Sequence, residues 1–440
     1  MIISNARVVT LDSSNRVLDN ATVEVRGDGS IGAIRATRGS PHDEETLDAR
    51  GRLLMPALIN CHTHLYSTLA RGISLPGPAP RNFPEILKKL WWRLDKALNG
   101  EDVYYSALVG LIDSAKNGVG MLVDHHSSPS ACQGSLDRIE QAFREVGLRG
   151  VLCYETTDRN GPKAAREGIA ENVRFIGKTR SPGGDGLLRG TFGLHASFTL
   201  TDGTLRQCVE ANESLRAGFH VHVAEDKCDV VHARKHFGRS PVQRLHAMGA
   251  LDERSLAAHC VHVSASDMKS LARYMIHVAH NPQSNCNNAV GMASLLEMMK
   301  AGVLVGLGSD GYSPRMLEEF KAAFHVQKLR TGDPRVAYAE TYAAALLNNR
   351  TIAKKAWGLD VGRIEQGSRA DLVVYDYYPP TPLDSSNLFG HVLFGIANAP
   401  VDTLIVNGRV VMKDKQLVTV DERAIAEKAT ARARALWRRF

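Results

Sequence analysis

Short apolar runs alternate with longer segments of helical character through the middle of the chain. The intervening segments repeat their apolar residues at helical spacing, as in Pro84–Leu98, Glu101–Lys116 and Ser135–Glu145. Eight such β-then-α units over about 300 residues predict a (β/α)8 barrel, an α/β fold. The eight runs are Leu53–His64, Gly118–His126, Leu148–Glu155, Leu188–Ser197, Gly218–Glu225, Ser255–His262, Tyr274–Asn285 and Val303–Gly311.

Both ends of the chain instead consist of short runs typical of strands, separated by turn formers such as Gly27-Asp28-Gly29. A capping box over Thr419–Glu422 predicts a last helix that extends to Phe440. We therefore expect residues 1–54 and 361–440 to pair into one discontinuous β domain, and residues 55–360 to form the barrel. The terminal strands predicted are Met1–Leu11, Val17–Arg26, Ile31–Ile34, Gly362–Ile364, Ala370–Tyr377, Val401–Asn407 and Arg409–Met412.

Composition excludes several classes of protein without choosing a function. The 440 residues are 44% hydrophobic and 23% charged, which is ordinary for a globular protein and unlike a disordered chain, a collagen or a coiled coil. No apolar run approaches the ~20 residues that a membrane helix needs, and the first residues lack the pattern of a signal peptide. We expect a cytoplasmic protein that neither spans nor binds a membrane.

Charge and cysteine content exclude further kinds of site. Lys and Arg exceed Asp and Glu by 54 to 47, but part of that excess lies in the last twenty residues, and basic and aromatic residues do not interleave. We therefore expect no nucleic-acid partner. The seven cysteines are odd in number and scattered, which argues against a disulfide framework or a thiolate zinc site and favours a reducing compartment.

Polar residues gather at the carboxyl ends of the predicted barrel strands. In a (β/α)8 barrel these strand ends form the mouth of the active site, so one shared site explains why polar residues recur there. The residues concerned are His62, His64, Asp124, His125, His126, Glu155, His195, His222, Glu225, His259, Asn281 to Asn285, and Asp310.

Three of the histidines and one aspartate have the spacing of a metal site. His62 and His64 lie two apart on one strand face, where two imidazoles can chelate a divalent metal. His222 adds a third imidazole; His220 shares its alternation, but we expect it to be packed inside the barrel. Asp310 adds a carboxylate, and the set leaves a position open for water, as in catalytic zinc or iron sites. Because the fourth run has no lysine to bridge a second metal, we predict one metal per chain.

Four longer motifs extend over the predicted strand ends and into the second terminal region: Pro56 to His64, Ala258 to His262, His280 to Asn285 and Glu365 to Val374. With them the chain resembles the amidohydrolase superfamily over essentially its whole length, in the cytosine deaminase-like and chlorohydrolase-like branch. Further motifs are Leu90 to Asp95, Glu155 to Asn160, Gly390-His391 and Phe394-Gly395. Through these the chain most resembles, within that branch, the SsnA-type aminohydrolases.

The resemblance implies a β-sandwich packed on the barrel and a single zinc or iron ion, with zinc favoured. His62, His64, His222 and Asp310 would hold this ion. Glu225 would shuttle a proton to a ring nitrogen of the substrate, and His259 would hydrogen-bond the attacking hydroxide or the tetrahedral oxygen. His262 competes with His259 for that role; His259 is preferred because it directly ends its run. Asp310 would also accept a proton, which makes it catalytic as well as a ligand.

Substrate contacts are predicted at His195, His126, Glu155 and Arg159, all of which follow strands at the mouth of the barrel. Only one of Asp124, His125 and His126 is expected to reach the pocket. Trp91 and Trp92 are interpreted as packing residues rather than as a stacking surface for the substrate. The semi-rigid segment 71–82, which contains three prolines, is expected to contribute to specificity.

The function predicted is hydrolytic deamination of an amino-substituted nitrogen heterocycle, a small molecule. The same groups would serve a hydrolase of cyclic amides or of halo-triazines, and the sequence does not separate these chemistries. A catalytically silent metal-binding barrel is the alternative from another class of protein. Homo-oligomers are common among such barrels, so we also expect self-association.

Overall fold

Eighteen strands lie in the part of the chain that the computed structural model describes, residues 1–36, 46–181 and 186–440. Their bounds are β1 Ile2–Val9, β2 Val17–Val25, β3 Ile31–Ala36, β4 Thr46–Asp48, β5 Leu53–Pro56, β6 Leu58–Thr63, β7 Val119–His126, β8 Arg149–Tyr154, β9 Leu188–Gly190, β10 Phe192–Ala196, β11 Phe219–Val223, β12 Leu256–His259, β13 His277–His280, β14 Val305–Leu307, β15 Leu372–Tyr375, β16 Val401–Val406, β17 Arg409–Lys413 and β18 Gln416–Leu417.

The middle strands form two parallel sheets, one of β6 to β9 and one of β10 to β14, each in sequence order. The two sheets are hydrogen-bonded to each other at both edges. At one junction the backbone N–H of Asp310 donates to the carbonyl of His62, and at the other the N–H of His195 donates to the carbonyl of Thr156. All these strands run in one direction, so their carboxyl ends meet at the same end of the structure.

Strands from the two ends of the chain meet in a third, mixed sheet of nine strands. Its order is β18-β17-β16-β15-β5-β1-β2-β3, with β4 paired to β1. β15 pairs antiparallel with β5, so that Leu372 lies opposite Pro56. Two residues after Pro56, at Leu58, the chain enters the parallel sheets. The apolar run Leu53–His64 therefore divides between two sheets.

Sixteen α-helices surround these sheets in the described residues, and none is long and apolar enough to cross a lipid bilayer. They are α1 Phe83–Ile86, α2 Trp92–Ala97, α3 Gly100–Lys116, α4 Ser135–Val146, α5 Gly161–Thr179, α6 Asp202–Asn212, α7 Lys227–Phe237, α8 Pro241–Ala247, α9 Ala265–Arg273, α10 Pro282–Asn287, α11 Leu295–Lys300, α12 Met316–Thr331, α13 Tyr338–Tyr342, α14 Asn349–Trp357, α15 Leu388–Phe394 and α16 Glu422–Trp437.

The α/β class and the parallel strands agree with the prediction, while several local predictions are wrong. Gly362–Ile364 forms no strand. The run Tyr274–Asn285 is a strand only at β13, because Pro282 begins helix α10 at a position where its missing N–H costs nothing. A π-helical turn at Leu87–Trp91 interrupts the predicted helix Pro84–Leu98. Asp421, not Thr419, caps α16 and accepts from the N–H of Ala424.

A buried ion pair joins the parallel sheets to the mixed sheet. Arg149 begins β8, and its guanidinium donates to both carboxylate oxygens of Asp371, at 2.7 and 3.0 Å. Asp371 also accepts from the backbone N–H of Asn407 at 2.7 Å. Both side chains are almost fully buried. The aspartate of the motif Glu365 to Val374 thus has a structural role.

We expect Asp371→Asn to lower the free energy of unfolding by about 3–5 kcal/mol, because it removes the carboxylate that neutralises the buried charge of Arg149. Urea denaturation monitored by circular dichroism measures this loss. Asp376→Asn is the matched control, since its ion pair with Lys415 is solvent-exposed and is expected to change stability by less than about 1 kcal/mol. Equal losses in the two variants would contradict a special role for the buried pair.

Candidate active site

The structure brings the four predicted metal ligands together at the carboxyl ends of the parallel strands. His62 lies in β6, His64 follows it, His222 lies in β11 and Asp310 follows β14. One potential ligand atom from each residue lies within 4.8 Å of all the others. Asp310 Oδ1 is 3.0 Å from His64 Nε2 and 3.6 Å from His62 Nε2.

Backbone carbonyls fix which imidazole nitrogens face the centre of this group. His64 Nδ1 donates to the carbonyl of His125 at 2.6 Å, and His222 Nδ1 donates to the carbonyl of His195 at 2.8 Å. A carbonyl can only accept, so each ring is protonated at Nδ1 and presents a lone pair at Nε2. These two Nε2 atoms are 3.1 Å apart. Two lone pairs at that distance repel each other unless a cation lies between them.

The protonation preferences of three of the four groups also fit a bound cation. Burial lowers the pKa of His62 to about 3 and that of His222 well below its usual value, so both stay neutral. Although burial opposes it, the adjacent imidazoles of His62 and His64 hold the pKa of Asp310 well below its usual value. His64 is the exception: burial opposes its protonation, but the Asp310 carboxylate raises its pKa to about 9, so that a cation at its Nε2 would have to displace a proton. Three imidazoles and a carboxylate are a donor set that zinc accepts.

Asp310 is held in place by contacts other than those to the imidazoles. Thr63 Oγ1 donates to the Asp310 carbonyl at 3.1 Å, and the Ser284 hydroxyl donates to Asp310 Oδ2. The backbone of Asp310 has a φ of +57°, in the left-handed region. Its carboxylate is therefore fixed with Oδ1 towards the imidazoles and Oδ2 towards Ser284.

Glu225 and His259 lie beside the four ligands. His259 Nε2 is 3.5 Å from Glu225 Oε2 and 3.9 Å from Asp310 Oδ2, and no hydrogen bond to Nε2 is found among the described residues. His259 Nδ1 contacts Asn285 Oδ1 at 2.9 Å. Burial, and then the negative charge of Asp310, raise the pKa of Glu225 well above its usual value. The raised pKa favours the protonated carboxyl group, which is the form that can donate a proton.

Two pairs of histidines competed for roles in the sequence, His259 with His262 and His222 with His220, and the members of each pair have different positions in the structure. His262 Nε2 donates to the carbonyl of Val290 at 2.7 Å, whereas His259 faces Glu225 and Asp310. His220 contacts His62 Nδ1 at 2.9 Å and does not line the cleft above the metal ligands. The position of His259 beside Asp310 supports its preference over His262.

A cleft of about 800 Å³ lies above the metal ligands. Its apolar wall consists of Phe83, Leu87, Trp91, Trp92 and Phe198. Trp91 and Trp92 pack against the hydrophobic core, as predicted, and they also line the cleft. Residues 71–82 do not line it, whereas Phe83, which directly follows that segment, does.

Three of the four predicted substrate contacts line the cleft, namely His195, Glu155 and Arg159. His195 Nε2 is 3.1 Å from Glu155 Oε1. Burial raises the pKa of Glu155 to about 7, although the positive charge of Arg159 opposes this shift. Arg159 Nη2 donates to Asp95 Oδ2 at 2.7 Å, and its guanidinium lies over the ring of Trp92.

His126 is the exception among the predicted substrate contacts, and that placement is wrong. It is fully buried outside the cleft, and its Nε2 contacts the hydroxyl of Ser128 at 2.8 Å. Alternation along β7 directs His125 towards the metal ligands and turns its neighbours away. Asp124 instead accepts from the backbone N–H of Leu65 and so fixes the loop after β6.

Sequence reasoning missed the supporting polar groups Asp95, Ser284, Asn285 and Asn288. Asn288 hydrogen-bonds the carboxyl group of Glu225, and Asp95 binds Arg159. Ser284, Asn285 and Asp95 lie within motifs of the family resemblance, but these motifs do not indicate which side chains they contact. Only the structure places Ser284 against Asp310, Asn285 against His259 and Asp95 against Arg159.

Comparison with known proteins identifies close relatives along the full length of the chain. Residues 53–411 match the model of the amidohydrolase family. A 5-methylthioadenosine/S-adenosylhomocysteine deaminase of Desulforudis audaxviator is 34% identical over 445 residues, which cover 99% of each chain. A 5'-deoxyadenosine deaminase of Methanothermobacter thermautotrophicus is 30% identical over 400 residues, 90% of each chain.

Solved structures with the same fold include two that hold zinc. An adenosine deaminase from Xanthomonas campestris matches 100% of this chain and 98% of its own, with a TM-score of 0.85 and 22% identity. An atrazine chlorohydrolase from Arthrobacter aurescens matches 99% of both chains, with a TM-score of 0.81 and 19% identity. At these identities the likeness concerns the fold alone.

Proposed function

The chain belongs to the amidohydrolase family and hydrolytically deaminates an amino-substituted nitrogen heterocycle, and we propose that this heterocycle is the adenine ring of a nucleoside. The relatives named as deaminases of adenine nucleosides support this substrate, because the chain matches them from end to end. The indole and phenyl groups along the cleft support a flat aromatic ring. Cyclic amides and halo-triazines are the alternative substrates, and an assay of ammonia release distinguishes them from adenine nucleosides.

The single observation that carries the proposal is the convergence of Glu225 and His259 on the four metal ligands beside this cleft. His62, His64, His222 and Asp310 would hold one divalent ion, with zinc favoured over iron. Such an ion lowers the pKa of water to about 7 and so supplies a nucleophile at neutral pH. The parallel strands and the hydrogen bonds at their two junctions support a (β/α)8 barrel over residues 55–360. The shared sheet of terminal strands supports one discontinuous β domain formed by residues 1–54 and 361–440.

The residues of this chain then divide the proton transfers between them. Glu225 in its protonated form donates to the ring nitrogen beside the amino-bearing carbon and makes that carbon electrophilic. Asp310 Oδ1 accepts the proton of the attacking water, and His259 hydrogen-bonds the oxygen that adds to the ring. Asp310 then passes its proton to the amino group, which leaves as ammonia, and the proton that the added hydroxyl loses as the carbonyl forms returns to Glu225. His195, Glu155 and Arg159 contact the rest of the substrate.

Ammonia release from a panel of compounds tests the proposal. The zinc-loaded protein is assayed with adenosine, 5'-deoxyadenosine, 5-methylthioadenosine, free purines, pyrimidines, pterins and amino-triazines, with Asp310→Asn as the blank. We expect release from the adenine nucleosides. Release only from another ring would reject the nucleoside. Silence with bound zinc would favour cyclic amides or halo-triazines, and silence without any bound metal would favour the silent barrel.

Removal of the metal is expected to abolish ammonia release and to lower the melting temperature. Dialysis against a chelator, followed by addition of zinc, tests both effects by activity and by thermal unfolding. One equivalent of zinc per chain should restore activity, since the proposed ligands His62, His64, His222 and Asp310 form a single four-residue group. Binding to the folded state alone stabilises by about 4 kcal/mol when free zinc exceeds the dissociation constant 1,000-fold. Full activity after chelation, verified by elemental analysis, would contradict a metal-dependent mechanism.

A further inference from the structure

A row of buried polar groups lies beneath His62, and the proposed mechanism uses none of them. His62 Nδ1 is 2.9 Å from His220 Nε2. His220 Nδ1 is 3.8 Å from Cys153 Sγ, and Cys153 Sγ is 3.5 Å from the backbone carbonyl of Asp124. The side chains of His62, Cys153 and His220 are fully buried. The row therefore runs from a metal ligand in β6 through β11 and β8 to the backbone of β7.

The carbonyl at the far end sets the direction of every hydrogen bond in the row. Because the Asp124 carbonyl can only accept, the Cys153 S–H donates to it. The sulfur is then left as the acceptor for His220 Nδ1–H, so that His220 Nε2 bears a lone pair. That lone pair accepts from His62 Nδ1–H. His62 consequently presents an unprotonated Nε2 to Asp310 and the other ligands.

We propose that His220 and Cys153 are positioning residues that hold His62 in the tautomer required for metal binding. The proposal rests on the metal site of the proposed function and extends it to residues that contact neither metal nor substrate. His64 and His222 achieve the same tautomer directly through backbone carbonyls. No backbone carbonyl accepts from His62 Nδ1 in the described residues. The side chains of His220 and Cys153 instead connect it to the backbone carbonyl of Asp124. The hydrogen bond that orients a ligating histidine typically changes metal affinity 10–100-fold.

The alternative is that His125, Cys153 and His220 hold a second metal, since their potential ligand atoms lie close together. The hydrogen bonds favour the row instead. His125 Nε2 donates to the carbonyl of His220 at 3.0 Å, and His220 Nε2 accepts from His62. A metal at this position would have to break those contacts. A count of two metals per chain would therefore overturn the proposal.

The test measures zinc affinity by competition with a chromophoric chelator in four variants. His220→Leu removes the acceptor of His62, and we expect its zinc dissociation constant to rise about 10–100-fold. Cys153→Ala is expected to raise it by less, and Cys153→Ser, whose hydroxyl can both donate and accept, to restore the wild-type value. The matched control is His277→Leu. His277 lies level with His220 across the sheet, and neither of its ring nitrogens has a hydrogen-bond partner in the described residues.

A second measurement separates this proposal from the proposed function. In the metal-free protein, ¹H–¹⁵N spectra of the histidines should show the His62 ring proton at Nδ1 in wild type and should lose that preference in His220→Leu. A proton at Nε2 in wild type, or zinc affinity within about two-fold of wild type in folded His220→Leu, would overturn the proposal. If His220→Leu does not fold, the zinc affinities of Cys153→Ala and Cys153→Ser are compared instead, and equal affinities would overturn the proposal. A negative deaminase assay would not affect these measurements, because they record zinc affinity and the tautomer of His62 rather than turnover.

Discussion

Asp310→Asn is expected to reduce ammonia release by at least about 10³-fold, within the range that general acid–base catalysis supplies. The variant removes the oxygen that accepts the proton of water and removes the only carboxylate among the four proposed ligands. Asparagine tolerates the left-handed φ of +57° at this position and can still accept from Ser284. The fold should therefore survive, and the melting temperature of the metal-free variant should match that of the metal-free wild type.

The measurement pairs steady-state ammonia release with zinc content and thermal unfolding. Asp226→Asn is the matched control, because Asp226 lines the same cleft but lies outside the ligand group. Its side chain caps α7, a role that asparagine also fills, so we expect activity near the wild-type value. Turnover by a folded, zinc-loaded Asp310→Asn variant within about ten-fold of wild type would reject the assigned role.

Glu225→Gln is expected to lower kcat about 10²–10⁴-fold while zinc content stays unchanged. Glutamine has nearly the same shape and can keep the contact with Asn288, but it cannot transfer a proton to the ring nitrogen. Burial and the charge of Asp310 raise the pKa of Glu225 well above its usual value and so favour the protonated form that the reaction needs. Retained zinc with lost turnover would separate this residue from the ligands.

The same control, Asp226→Asn, tests whether any change of carboxylate in this part of the cleft lowers activity. Glu225 and Asp226 are neighbours in sequence, and both line the cleft. We expect activity to depend on the first of them alone. Equal losses in the two variants would indicate a general electrostatic effect of the cleft rather than proton transfer by Glu225.

The residue types of the site could be predicted from the sequence because strand ends have a regular geometry. Alternation places His62 and His64 on one face, and parallel strands bring their carboxyl ends to one edge. Those two rules were sufficient to group His222 and Asp310 with them. The α/β class, the parallel strands and the hydrolytic activity are confirmed; the roles of the individual residues are predictions that the variants above test.

Where a strand ends, alternation stops being informative, and the predictions fail there. His259 and Cys260 have positive φ values, so the chain turns away from the strand direction before His262. The choice between the two histidines therefore depended on the turn. The prediction for His126 is wrong for a different reason. Alternation on β7 places only one of His125 and His126 on the inner face of the sheet, and packing against neighbouring elements decides which one.

The sequence by itself determined the family, the order of strands and helices, and the donor types of the metal site, since these depend on local periodicity and short motifs. Only the tertiary structure decided which groups support them. Asp95 beneath Arg159, Asn285 beside His259, and the row from His62 to Asp124 join residues that lie 26 or more positions apart. Such contacts arise from packing between different elements, and no pattern within one element specifies the partner on another.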